Sequence, residues 1–200
     1  MACKLTGAGI MWTSLSLAAA ILNCAGYYVP HWIRGSYHNA IDVSFGSFRR
    51  CNYPRLTNDG RLEIVSECGR YRTFADIPSL SWQITTILMG IGVSISLLVA
   101  FTVLASCCLS DVITKRSAKT IGVIQLIAAI LMVSAAVIYP YGWTSPEIRD
   151  ACGGLSDVYK LGTCELSWSS YMMFIGVVML FICFILSFKA SKVKLRPYNT

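Results

Sequence analysis

Charged residues are scarce in this chain. Asp, Glu, Lys and Arg make up 14% of its 200 residues, whereas hydrophobic residues make up 55%. Four runs contain no Asp, Glu, Lys, Arg or His at all: residues 5–29, 82–109, 120–139 and 166–188. If these runs cross a membrane, ionisable side chains within them would mark proton relays, ion paths or substrate sites. The absence of such side chains therefore argues against a transporter or pump.

Histidine is almost absent as well, since the chain holds only His31 and His38. Neither has the spacing of a serine–histidine–acid arrangement or of a metal site. The sequence also lacks a glycine-rich phosphate loop and a helix-borne metal motif. We therefore predict a protein that is not an enzyme and that takes no cofactor and no metal ion.

The four uncharged runs themselves predict membrane helices. Each reaches the roughly 20 residues that a helix needs to cross about 30 Å of hydrocarbon. Inside hydrocarbon each span must satisfy its own backbone hydrogen bonds, which favours helices over strands for runs of this length. A soluble bundle would need a polar stripe on every helix, and these runs have almost none.

The predicted fold is therefore an all-α membrane protein, a bundle of four antiparallel transmembrane helices forming one domain over residues 1–200. Its helices are expected at about 5–29, 82–109, 120–139 and 166–188. The connections are two large loops, 30–81 and 140–165, a short loop, 110–119, and a tail, 189–200.

Basic residues and cysteines indicate the orientation. The short loop and the tail are basic, as cytoplasmic segments usually are. Arginines in the first large loop blur that tally, but both large loops carry cysteine pairs, and disulfides persist on the oxidising side. We predict a plasma-membrane protein with cytoplasmic termini and extracellular large loops. An aromatic belt is expected at the outer interface from Trp32, Trp82, Trp143, Trp168, Tyr27, Tyr28, Tyr139, Tyr141 and Tyr171.

The first large loop contains a predicted β-hairpin, with strands at 43–51 and 61–68 and a turn at Asp59–Gly60. Counting outward from that turn brings Cys51 opposite Cys68, at a separation that a disulfide accepts. Pro54 has no amide hydrogen, so a bulge or frayed segment is expected near it. Elimination and proximity then pair Cys152 with Cys164, and the other connectivities stay open.

Polar and small residues inside the spans have two interpretations. Asn23 and Gln125 are expected to join helices through hydrogen bonds, with cargo binding as the alternative. Small residues within 90–96 allow a close helix approach, either inside the bundle or on a face that docks a partner.

The candidate partner contacts are arginines of the first loop: Arg49, Arg50, Arg55, Arg70 and Arg72. Arginine forms forked bonds to carboxylates and is enriched at protein interfaces. The alternative is a solvated face that is partly neutralised by acidic residues of both large loops: Glu63, Glu67, Glu147, Asp150, Asp157 and Glu165. Nucleic acid is not an expected partner of an extracellular face. On the cytoplasmic side, Cys107 and Cys108 are candidates for palmitoylation.

Several motifs occur in order between the helices. The first loop contains FGSFRRC at 45–51, NYP at 52–54, ECGRY at 67–71 and IPS at 77–79. The second contains YPYGW at 139–143, IRDACG at 148–153 and LGTCELSW at 161–168. Over nearly its whole length the chain resembles the lipoma HMGIC fusion partner-like tetraspan family, which is distantly related to claudins.

The resemblance implies a claudin-like four-helix transmembrane bundle with a small extracellular antiparallel sheet from the first loop. It also implies an auxiliary or scaffolding subunit of a membrane receptor or channel complex, with another integral membrane protein and the lipid bilayer as partners. The alternative is a claudin-like adhesion or barrier component that self-associates. Against it, Ser47 and Phe48 replace the Leu and Trp of the claudin signature, and claudins lack the second-loop cysteine pair.

Overall fold

The computed structural model describes residues 7–37, 41–56, 62–108 and 115–190. Five α-helices are present in these segments: α1 Gly7–Tyr28, α2 Leu80–Cys108, α3 Lys115–Ile138, α4 Pro146–Ala151 and α5 Trp168–Ala190. Two 3₁₀ helices, Phe74–Asp76 and Tyr139–Thr144, precede α2 and follow α3. Of the α-helices, α1, α2, α3 and α5 are long and apolar enough to cross a membrane. The four predicted spans are confirmed.

The helix boundaries differ from prediction mainly in α3. This helix begins at Lys115, not at residue 120, so part of the predicted loop 110–119 is helical. The uncharged run marks only the segment suited to hydrocarbon, whereas Lys115, Arg116 and Lys119 extend the helix beyond it. Long basic side chains are compatible with both helix and interface, because their charged ends reach water.

Close approaches of small residues and a buried polar network join the helices of the bundle. A Cβ added to Gly26 of α1 would lie 3.1 Å from the backbone nitrogen of Met173 in α5. In the network, Trp12 Nε1 donates to Gln125 Oε1 at 3.1 Å, and Gln125 Nε2 donates to Ser16 Oγ at 2.8 Å. Gln125 thus joins α3 to α1, as predicted.

Asn23 behaves differently from the prediction. It is fully buried in α1 next to Gly176 of α5, and its amide atoms have no hydrogen-bond partner in the described part of the chain.

The small residues of α2 lie on two different surfaces of that helix. Gly92 packs against Ala128 and Met132 of α3, whereas Gly90 lies on the outer side of the bundle.

A five-stranded antiparallel sheet sits on one end of the bundle, in the order β4-β3-β2-β1-β5. Its strands are β1 Ile33–Tyr37, β2 Ile41–Phe45, β3 Arg49–Leu56, β4 Leu62–Arg70 and β5 Glu165–Leu166. The predicted strand at 43–51 is wrong, since the chain turns between β2 and β3, where the Gly46 amide donates to the Arg49 carbonyl at 2.8 Å. The sheet also takes β5 from the second large loop, so it does not come from the first loop alone.

The β3–β4 ladder confirms the predicted pairing of Cys51 with Cys68. The register then shifts between Cys51 and Tyr53, and Pro54 lies opposite Ile64 instead of the counted Val65. Asn52 within this bulge has a φ of 56°, a left-handed conformation that asparagine tolerates. The expected turn at Asp59–Gly60 lies outside the described residues.

The aromatic side chains between bundle and sheet form a buried core. Trp82 stacks on Tyr139 at 4.8 Å between ring centroids, and Trp32 meets Tyr139 edge-on at 4.8 Å. Both indoles find backbone acceptors, since Trp82 Nε1 donates to the Tyr139 carbonyl and Trp32 Nε1 to the Gly26 carbonyl. The prediction of an aromatic belt is therefore wrong for Trp32, Trp82, Tyr139 and Trp143, because all four are buried inside the protein. Tyr28, Tyr141, Trp168 and Tyr171 are exposed, as a belt requires.

Candidate functional site

Two disulfides fix the loops that carry the candidate contacts. Cys51 is bonded to Cys68 across β3 and β4, with a Cα separation of 4.0 Å. Cys152 is bonded to Cys164, with a Cα separation of 5.0 Å, and this bond closes the second large loop just before β5. Both predicted pairings are present in the structure. Each holds a loop in one arrangement at the sheet end of the bundle.

Arg49 and Arg70 lie directly opposite each other on β3 and β4. They share a sheet face with the Cys51–Cys68 disulfide, because side chains two residues apart on a strand point the same way. We call Arg49 and Arg70 the arginine face. Like charges in this position repel each other, so the pair favours the approach of an anionic group.

Surrounding contacts hold Arg49 but leave Arg70 accessible. The Arg49 guanidinium lies 4.5 Å from the ring centroid of Tyr28 and donates to the Tyr28 carbonyl at 3.3 Å. Arg70 is exposed, and so is Arg72 just beyond β4. Neither makes an ion pair with any residue that the structure describes. Arg70 and Arg72 therefore retain guanidinium N–H donors for a carboxylate.

Arg50 points to the opposite face and is engaged within the molecule. Its guanidinium forms an ion pair with Glu147 of α4 and lies 3.9 Å from the Tyr53 ring and 4.5 Å from the Tyr71 ring. Burial and the Glu147 carboxylate raise the pKa of Tyr71. We call Arg50, Glu147, Tyr53 and Tyr71 the loop clasp. It joins the two large loops, so Arg50 positions them and is not a free contact.

Three other predicted site residues are placed only by their backbone. Arg55 lies on β3 opposite Glu63, and Cys107 and Cys108 end α2. Their side chains fall outside the described part of the structure. Lipidation of the two cysteines stays a prediction.

A shallow, open apolar groove runs along the outer side of α2, with Tyr27 of α1 at one edge. It has a volume of about 480 Å³ and is lined by Tyr27, Thr86, Ile87, Gly90, Ile91, Ser94, Ile95 and Leu98. Gly90 makes room for the Tyr27 side chain at the edge of the groove, because a Cβ there would lie 3.0 Å from the Tyr27 hydroxyl oxygen. We call this the α1–α2 groove.

The α1–α2 groove leads directly to the arginine face. At the end of the groove nearest the sheet, Thr86 Oγ1 donates to the Ser47 carbonyl at 3.0 Å, and the centroids of the Tyr27 and Phe48 rings are 4.9 Å apart. Ser47 and Phe48 form the turn that precedes Arg49. A helix lying in the groove would thus emerge beside the Arg49 guanidinium.

The sequence indicated the arginines, a docking face within residues 90–96 and neutralisation of the arginines by acids that include Glu147, but not the lining of the groove or which arginine pairs with Glu147. The pairing of Arg50 with Glu147 joins residues 97 positions apart, and no local pattern signals such a contact. The groove does have a weak signal in the spacing of Gly90 and Ser94. Among the described residues, no three His, Cys, Asp or Glu side chains gather as metal ligands would.

Comparison with known proteins gives a consistent picture. The family model described as lipoma HMGIC fusion partner-like protein matches residues 8–192. The chain is similar to LHFPL tetraspan subfamily member 2a protein of Danio rerio, with 29% identity over 194 residues, 91% of this chain and 86% of the relative. It is 27% identical to human LHFPL tetraspan subfamily member 2 protein, with the same coverage, and 26% identical to human member 4 over 96% of this chain and 77% of the relative.

Proposed function

Because the chain belongs to the lipoma HMGIC fusion partner-like family of tetraspan membrane proteins, we propose that it acts as a non-enzymatic auxiliary subunit. In this role it binds laterally to another integral membrane protein of a receptor or channel complex. The observation that carries the proposal is the continuity of the arginine face with the α1–α2 groove. One partner chain could contact both surfaces.

The expected partner follows from the chemistry of the two surfaces. The groove suits a transmembrane helix with a narrow face, because Gly90 and Ser94 allow its backbone to approach closely. Arg49 and Arg70 suit a carboxylate just beyond the end of that helix, since guanidinium groups bind carboxylates in a forked geometry. The proposed partner therefore carries an acidic residue at its juxtamembrane end.

The proposal places the sheet outside the cell and both termini in the cytosol of a plasma-membrane protein. Both disulfides lie at the sheet end, which suits the oxidising side. Basic residues begin α3 at the opposite end of the bundle, as the positive-inside rule expects.

The test is the mass of the native complex extracted from cells in mild detergent. The wild-type chain is expected to migrate in a complex larger than itself that contains a second membrane protein. Arg49→Glu combined with Arg70→Glu should release the chain from that complex, and Gly90→Leu should do the same by filling the groove. Arg116→Glu and Ser134→Leu provide matched changes of charge and size on α3, and neither should alter the complex.

A claudin-like role predicts a different result. Two differently tagged copies would then co-purify with each other and concentrate at contacts between expressing cells. Under the auxiliary role the copies remain separate unless the partner complex itself contains two. Robust homotypic enrichment would contradict the proposal.

A further inference from the structure

The second large loop contains a tight turn in a strained conformation. Asp157 and Lys160 exchange two backbone hydrogen bonds of 2.9 Å, and Val158 and Tyr159 occupy the turn between them. Tyr159 has a φ of 59°, which is unfavourable for a bulky aromatic residue. Such a conformation persists only where surrounding contacts hold it.

A hydrogen bond from the Tyr159 side chain holds this turn against the bundle. Its hydroxyl donates to the Val137 carbonyl of α3 at 2.8 Å. Val137 lies in the last turn of α3, where carbonyls run out of helical partners, and the residue three positions on is Pro140, which has no amide hydrogen. Tyr159 therefore satisfies a carbonyl at a helix end that would be costly to leave unpaired near hydrocarbon.

The position of Val137 sets the depth of Tyr159. Val137 belongs to the apolar span 116–144 and is 52% exposed, so it lies on the outer surface of that span, which we expect to face lipid. Tyr141 is also half exposed, and its ring meets the Tyr159 ring edge-on at 5.7 Å. Two tyrosines thus lie side by side at the end of a lipid-facing helix surface, with exposed Lys160 next to them.

We propose that Tyr141 and the turn Asp157–Lys160 form a membrane anchor, which inserts into the interfacial region of the leaflet on the sheet side of the bilayer. Tyrosine prefers this region because its ring is apolar and its hydroxyl is polar. Lys160 can meet lipid phosphates while its alkyl stem remains among apolar groups. The occupant is lipid, because the tyrosine pair continues the exposed apolar surface of a membrane-spanning helix.

The membrane anchor gives the second loop a mechanical role. The same loop is closed by Cys152–Cys164, contributes β5 to the sheet and carries Glu147 of the loop clasp. Anchoring it to lipid therefore fixes the height of the sheet above the bilayer. This inference concerns the bilayer alone and stands whether or not the proposed protein partner exists.

Photo-crosslinking in vesicles tests the membrane anchor. The full chain is reconstituted in phosphatidylcholine vesicles with a photoreactive benzoylphenylalanine at position 159, 141 or 67. Irradiation should attach phosphatidylcholine to positions 159 and 141 at a yield at least several-fold above position 67, where exposed Glu67 on edge strand β4 serves as the control. The yield is read from the lipid mass added to the corresponding peptide.

Position 141 keeps the test informative if replacing Tyr159 disturbs the turn. A lipid yield at both 141 and 159 no higher than at 67 would overturn the proposal. Benzoylphenylalanine at position 158 keeps the Tyr159 hydroxyl and its hydrogen bond to Val137. A lipid adduct at 141 and none at 158 or 159 would also overturn the proposal, because the turn would then lie in water.

Discussion

Removing the Arg50 guanidinium should free α4 of the second large loop from β3, while β5 keeps that loop paired with the sheet. Its two contacts with tyrosine rings are each worth about 0.5–1 kcal/mol. The ion pair with Glu147 is 23% and 22% exposed on its two sides, so losing one partner leaves a mostly buried charge. That loss costs less than the 3–5 kcal/mol of a fully buried pair, about 1–2 kcal/mol after allowance for solvent screening. Arg50→Ala should therefore destabilise the fold by roughly 2–4 kcal/mol.

Thermal unfolding of the purified chain in detergent measures this loss. In a chain of this size 1 kcal/mol corresponds to about 2–4 °C, so we expect the apparent Tm of Arg50→Ala to fall by roughly 4–16 °C. Arg50→Lys should recover part of the loss, since it keeps the charge without the planar fork. Arg72→Ala is the control, because Arg72 is exposed and should change stability by no more than about 0.5 kcal/mol. Equal Tm values for Arg50→Ala and Arg72→Ala would refute the loop clasp.

Three further predictions concern stability. Gly142→Ala should lower the free energy of unfolding by about 1–3 kcal/mol, because the added methyl group would overlap the Trp82 indole. Gly7→Ala is the control, since a methyl group there has open space, and equal Tm values for the two variants would contradict the prediction. Replacing Cys152 and Cys164 together by serine should cost about 3 kcal/mol in denaturant unfolding, from the lost loop constraint, and an unchanged midpoint would count against it. Burial and Arg34 lower the pKa of His31, so the contribution of neutral His31 to stability should be lost as the pH falls below about 6.5. Between pH 8 and 5 the Tm of the wild type should therefore fall further than the Tm of His31→Gln, and parallel curves of Tm against pH would exclude the effect.

The spans and the cysteine ladder were predictable because each rests on a local rule. A run without charge meets the length that hydrocarbon requires, and strand pairing depends on a count of residues. The same rules explain the errors. The turn between β2 and β3 interrupts a sequence that looks like one strand. Glycine at position 46 permits the close packing there, since a Cβ added to it would lie 3.0 Å from the Pro30 Cα.

The aromatic residues show where sequence reasoning ends. Tryptophans beside the spans look alike in sequence, yet Trp82 is buried and Trp168 is 52% exposed. What separates them is whether the sheet covers the residue, and the sheet is assembled from both large loops. The same holds for the candidate site. Arg50 and Arg70 are equivalent candidates in the sequence, and only the folded structure shows that Arg50 pairs with Glu147 of the second loop whereas Arg70 is exposed.

The structure of the native complex, purified through a tag on this chain, tests the proposed function most directly. We expect a transmembrane helix of a different protein in the α1–α2 groove, with a carboxylate within hydrogen-bonding distance of Arg49 or Arg70. A groove filled by lipid with both arginines facing water would contradict the proposed function, as would a second copy of this chain in that place.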